Sequence, residues 1–257
     1  MKKFFSVVVP LAVAVAVVVP GPAHAATVNY VALGDSYSSG VGTDHYDLSS
    51  SCDRSSLAYP ALVARAKGYN LNFQACTGAL TTDVINTQAA ALNKTTTNLV
   101  TVTAGGNDAG FVNLLVSCTL TNCVSSINST ITWVNTQLAA KLDAMDSVIK
   151  ADAPNAKVIV LGYPHLFSGT CLSAFGISSS EVSASNNLAD AMDRVTSAEA
   201  GKFGFTYKSA ISQFTNHGVC ASKGWLHGLD LASITSSYHP TTTGQSSGYE
   251  PLVLSAL

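Results

Sequence analysis

The sequence predicts one α/β domain, with a parallel sheet of about five strands covered by helices on both faces. Three observations carry this. Short apolar, β-branched runs alternate with segments of helical spacing along the chain. Several of these runs stop abruptly at a glycine turn, as buried parallel strands do. The segment 124–150 carries one unbroken helical stripe, with apolar residues at 127, 131, 134, 138, 142, 145 and 149. Strand–helix–strand order throughout implies right-handed crossovers.

The first 25 residues stand apart from this pattern. Lys2 and Lys3 precede an apolar run from Phe4 to Val19, and Ala23-His24-Ala25 forms a small-x-small cleavage signal. Pro10 and Pro20 break and close the run, which argues against a retained transmembrane helix. Residues 1–25 therefore read as a signal peptide, and the domain as 26–257, in an exported protein. Loss of the two lysines takes the net charge from −2 to −4. This mild acidity, with 11% charged residues, argues against a nucleic-acid partner. It is neutral on contact with a lipid interface, and nothing in the sequence demands more than a monomer.

All six cysteines (Cys52, Cys76, Cys118, Cys123, Cys171, Cys220) lie beyond the leader. An even count in an exported chain reads as three disulfides, and nearest-neighbour pairing (52–76, 118–123, 171–220) is the expectation. The absence of C-x-x-C, and of a histidine at ligand spacing beside a cysteine, argues against zinc.

In chain order, Val28–Leu33 is a strand stopped by Gly34-Asp35. Ala58–Lys67 is a helix with Pro60 in its first turn and Gly68 past its end. Leu71–Ala75 is strand-like, Asp83–Leu92 helical, and Leu99–Thr103 a strand halted at Gly105-Gly106. The stripe of 124–150 ends at Pro154-Asn155, and Lys157–Leu161 is the fourth strand. Ser180–Ala200 is a helix, Phe203–Tyr207 a weaker strand, and Pro240 opens a last helix that Pro251 ends or kinks.

Candidate chemistry gathers at strand ends. Ser36 lies just past the first strand, where ligands sit in open α/β sheets. A serine nucleophile needs a base and an oxyanion hole. His239 is framed by Ser236-Ser237-Tyr238 before it and Pro240 after it, a rigid setting that His45, His165, His217 and His227 lack. Gly105-Gly106-Asn107-Asp108 ends the third strand, and Asn107 can offer an amide N–H to a developing oxyanion. Cys76-Thr77-Gly78 follows the second strand, where the Gly78 N–H is a second candidate donor. Gly244-Gln-Ser246-Ser-Gly248 matches the G-x-S-x-G elbow, but no strand precedes it and no histidine follows, so the match is a chance one.

Taken in order, Gly34-Asp35-Ser36, Gly78, Gly105-Gly-Asn107-Asp108 and His239-Pro240 resemble the motifs of the SGNH (GDSL) hydrolases. With the leader and six cysteines, the chain is similar to that family's secreted actinobacterial lipase/esterase branch. The resemblance implies a three-layer α/β/α, flavodoxin-like fold. It implies Ser36 as nucleophile, His239 as base, and an oxyanion hole of the Ser36 N–H, the Gly78 N–H and the Asn107 side chain. It further implies a carboxylic-ester or lipid-ester substrate, an acyl-enzyme, and neither metal nor cofactor. Carbohydrate O-acetyl esterase is the alternative activity; an inactive glycan- or lipid-binding module is the alternative class.

One position departs from the pattern. The family's usual acid lies three residues before the histidine, and here that residue is Ser236. A backbone carbonyl of Ser236 or Ser237 can hold the histidine tautomer, although it brings no charge to stabilise an imidazolium. A Ser–His dyad oriented by such a carbonyl is therefore expected. Asp35 and Asp108 read as loop-shaping residues, and Asp230 as the best outside candidate for an acid.

Overall fold

The computed structural model describes residues 1–5, 27–118, 122–168 and 177–257, so the expected signal peptide lies almost entirely outside the described residues. Five strands, β1 (Asn29–Gly34), β2 (Asn70–Phe73), β3 (Leu99–Thr103), β4 (Lys157–Leu161) and β5 (Thr206–Lys208), form one parallel sheet in the order β2-β1-β3-β4-β5. Tyr30 sits opposite Leu71 on one side and Leu99 on the other. The strand order reverses between β1 and β3. In doubly wound sheets the crevice opens at that switch point, beyond the carboxyl ends of the strands. β1, β3 and β4 are almost wholly buried, which explains their near-continuous apolar sequences.

Helices form the outer layers. α1 (Ser36–Ser39) is a single turn after β1, and α2 (Tyr59–Lys67) packs on the final helix α9 (Glu250–Leu254). α3 (Thr81–Asn86), the rod of α5 (Val124–Trp133) and α6 (Ala139–Asp152), and α7 (Ser179–Lys202) pack together. α4 (Phe111–Cys118) and α8 (Ala210–Gln213) complete the set, and no helix among the described residues is long and apolar enough to cross a membrane.

The elements depart from the sequence reading in instructive places. The 83–92 helix begins earlier, at Thr81, and tightens to a 3₁₀ turn over Gln88–Ala91. The long stripe is one rod, but Val134–Leu138 widens into a π turn that joins α5 to α6. β2 ends at Phe73, and β5 moves to Thr206–Lys208. The sequence reading does not include the eight-residue α4, although it buries Phe111, Leu115 and Cys118 at helical spacing. Pro251 does not end the last helix. A π turn over Gly244–Tyr249 precedes α9, and the Ser247 carbonyl, which a proline N could not serve, accepts the Gln213 side-chain amide at 3.0 Å.

Cys52–Cys76 and Cys118–Cys123 are bonded as expected. Cys220 is also disulfide-bonded, and Cys171, its expected partner, lies outside the described residues.

Candidate active site

Ser36 opens α1 directly beyond β1, a placement that follows from three neighbours. Gly34 has φ +123°, and a Cβ there would stand 2.3 Å from the Thr103 carbonyl, so only glycine lets β1 turn against β3. Asp35 caps α1, accepting from the Tyr37 N–H at 3.0 Å. Its carboxylate also accepts from Thr103 Oγ1 at 2.7 Å and from the Tyr163 hydroxyl at 2.5 Å. Burial pushes the Asp35 pKa up to about 6, with these hydrogen bonds pulling the other way. Gln88 finishes the support: its Oε1 accepts from the Gly34 N–H at 2.7 Å and its Nε2 donates to the Gly34 carbonyl at 2.9 Å.

His239 arrives from the far end of the chain. Its Nε2 lies 2.7 Å from Ser36 Oγ, and its Nδ1 lies 2.9 Å from the Ser237 carbonyl. A carbonyl can only accept, so Nδ1 carries the hydrogen and Nε2 is left to accept from the serine hydroxyl. Of the two carbonyls expected to hold the ring, Ser237 provides the contact; that of Ser236 accepts the His239 backbone N–H at 3.1 Å. Burial pushes the His239 pKa down to about 4, opposed by the Ser237 hydrogen bond. The imidazole is thus neutral and ready to take a proton at ordinary pH.

The two halves are held together by residues that the sequence reading did not single out. The Tyr37 hydroxyl, beside Ser36, donates to the carbonyl of Tyr238, beside His239, at 2.6 Å. Gln245 Nε2 donates to the Tyr37 carbonyl at 3.1 Å, and its Oε1 accepts from the Tyr59 N–H at 3.0 Å. Tyr238 takes φ +60°, a turn that presents its carbonyl to Tyr37 and the next ring to Ser36. Tyr163, which holds Asp35, also escaped the sequence reading but had a usable signal, since it stands two residues past β4, at the same sheet edge as Ser36.

Asn107 lies past β3 and donates one amide hydrogen to the Ala79 carbonyl at 3.0 Å, leaving the second for another acceptor. That bond ties the Asn107 loop to Gly78-Ala79. Gly78 has φ +74°, and a Cβ there would meet open space. A cavity of about 380 Å³ lies alongside, lined by Arg54, Thr77, Gly78, Ala79, Asp83 and Gln88 among others. Asp108 accepts from the Thr81 N–H and hydroxyl, both at 2.9 Å, which matches its expected loop-shaping role. The Asp230 carboxylate accepts from the N–H groups of Ala232 and Ser233, shaping its own turn, and the Asp230 N–H donates to Ser237 Oγ at 2.9 Å. Among the described residues no three His, Cys, Asp or Glu are placed to hold a metal ion.

A hydroxyl bonded to a neutral, anchored imidazole, at a sheet edge with amide donors on the adjoining loops, is equipped for acyl transfer. Comparison with known proteins agrees. Residues 32–246 match the model of the GDSL-like lipase/acylhydrolase family. A lipase of Streptomyces rimosus is 43% identical over 235 residues, covering 89% of this chain and 86% of its own. Lipase 1 of Streptomyces coelicolor is 42% identical over 236 residues, covering 89% and 87%. The crystal structure of phospholipase A1 from Streptomyces albidoflavus NA297 superposes with a TM-score of 0.86 at 43% identity, over 90% of this chain and 100% of that one. With a family model spanning most of its length and relatives this similar, the chain belongs to the GDSL-like lipase/acylhydrolase family.

Proposed function

We propose that the protein is an exported lipase/esterase that cleaves lipid acyl esters, phospholipid acyl esters included, through a Ser36–His239 dyad. Ser36 Oγ attacks the ester carbonyl carbon while His239 Nε2 takes its proton. The oxyanion that forms is held by the Ser36 N–H, which has no intrahelical partner in the first turn, the Gly78 N–H and the free Asn107 amide hydrogen. The intermediate collapses to an acyl-enzyme, and the departing alcohol takes the proton from His239. Water then repeats the sequence: it gives a proton to Nε2, its oxygen attacks the acyl carbon, and Ser36 leaves with the proton restored.

The observation that carries this reading is the pair of contacts on one ring, Ser36 Oγ on Nε2 and the Ser237 carbonyl on Nδ1. The carbonyl fixes tautomer and orientation; it contributes less than a carboxylate would to stabilising the imidazolium. The relatives' names, lipase and phospholipase A1, favour lipid acyl esters over carbohydrate acetates. The leader-like residues 1–25, their expected cleavage before the domain 26–257, and the disulfides fit export to an oxidising compartment.

The test is hydrolysis of p-nitrophenyl esters from acetate to palmitate. Ser36→Ala and His239→Ala should each lose about 10⁴-fold or more in kcat, and Asp230→Asn should stay within about twofold of the parent. A large loss in Asp230→Asn with folding intact would establish a triad and sink the carbonyl-oriented dyad. Activity confined to acetate would favour the carbohydrate acetyl-esterase alternative, and no activity on any ester the binding module.

A further inference from the structure

Among the described residues between 27 and 257, five large hydrophobic side chains stand exposed: Leu48, Leu80, Leu231, Ile234 and Leu257. Four of them share the end of the molecule that holds Ser36. Leu80 follows Gly78-Ala79 beyond β2. Leu231, 84% exposed, and Ile234 occupy the loop that runs into Ser237 and His239. Leu48 stands on the loop between α1 and α2. These loops are stitched into one rim: Ser236 Oγ donates to Asp44 Oδ1 at 3.0 Å, Arg54 Nε to the Ala75 carbonyl at 2.7 Å, and Cys52 is bonded to Cys76. The fifth, Leu257, is at the opposite end, where its carbonyl accepts from Lys157 Nζ at the start of β4. Single exposed leucines are ordinary, but a set gathered around one opening is not.

We propose that this rim docks the protein on the surface of aggregated zwitterionic lipid, with Leu231 and Ile234 entering the acyl region and Leu48 and Leu80 meeting it at the edge. The charges select this occupant. The rim loops carry Asp44, Asp47, Asp53, Asp83 and Asp230 against Arg54 and Lys223, and Arg54 is engaged with the Ala75 and Gln74 carbonyls. His45 faces Asp47 at 3.5 Å. Among the described residues this rim has no basic cluster to attract anionic headgroups, so adhesion comes from apolar burial. The inference rests on the ester-hydrolase reading only for its consequence, that acyl esters are delivered to Ser36.

The test uses sedimentation with vesicles of ether-linked phosphatidylcholine, which cannot be hydrolysed, beside kcat/KM on soluble p-nitrophenyl butyrate. The wild type should bind these vesicles equally at low and high salt. The double variant Leu231→Ser/Ile234→Ser should bind about tenfold or more weakly, from the apolar area removed. Its activity on the soluble ester should stay within about twofold of the parent, and Leu257→Ser should bind as the wild type does. Wild type that ignores the vesicles, or a double variant that binds them unchanged, overturns the proposal. So does binding that needs added phosphatidylglycerol and vanishes in salt. Vesicle binding without any ester hydrolysis would leave the docking surface standing and remove the hydrolase reading; hydrolysis without vesicle binding would do the reverse.

Discussion

The buried, neutral His239 makes a sharp prediction about acid pH. Burial brings its pKa from 6.5 to about 4, and a shift of that size corresponds to about 3 kcal/mol against protonation. At pH of about 5.5, an ordinary histidine would be roughly one-tenth neutral, whereas His239 is almost entirely so. Turnover of a soluble ester therefore should hold nearly constant from neutral pH down to about 5 and fall only towards 4. The assay is kcat/KM for p-nitrophenyl butyrate across this range, with circular dichroism at each pH to establish that the chain stays folded. A roughly tenfold fall by pH of about 5.5, with the fold intact, would refute the reasoning. The same shift acts on stability. Between about 6.5 and 4 the unfolded chain binds a proton that the folded chain refuses, so the His239 contribution is complete above that window and lost as pH falls through it. Asp35 acts in the opposite sense: raised from 3.8 to about 6, it lowers stability as pH rises between those values. Asp146, which burial raises to about 7, adds to the Asp35 trend. Removing the histidine removes its opposing trend, so His239→Ala should gain stability relative to the parent on going from neutral pH to about 5, by about 2 kcal/mol.

Two further substitutions probe the support of the site. Gln88→Met leaves the buried Gly34 N–H without its acceptor and should cost about 2–3 kcal/mol, read as a lowered midpoint in urea unfolding; an unchanged midpoint would mean that the clamp is idle. Replacing Cys52 and Cys76 together with serine reopens a loop of 24 residues' separation and should cost about 3 kcal/mol. Because that disulfide also ties the Gly78 loop to the 41–58 loop, kcat on soluble esters should fall in the same variant, measured at a temperature where it remains folded.

The sequence by itself determined the sheet, because β1, β3 and β4 are short apolar runs closed by Gly34, by Ala104-Gly105 and by Gly162, a local pattern of composition and turn chemistry. It also singled out Ser36, Gly78, Asn107 and His239, since each stands in a motif next to a strand end or a proline. It narrowed the ring's anchor to two carbonyls and could go no further. The choice of Ser237 depends on the positive φ of Tyr238, which the hydrogen bond from Tyr37 helps to hold across 201 positions of chain. Gln88 reaches Gly34 across 54 positions and Gln245 reaches Tyr37 across 208. Nothing near either glutamine distinguishes it from a surface residue. Each becomes meaningful only when packing buries a backbone N–H or carbonyl that needs a partner, and that need arises from the folded arrangement of distant segments. The gathering of Leu48, Leu80, Leu231 and Ile234 on one rim is of the same kind, decided by which loops the sheet brings to its carboxyl edge.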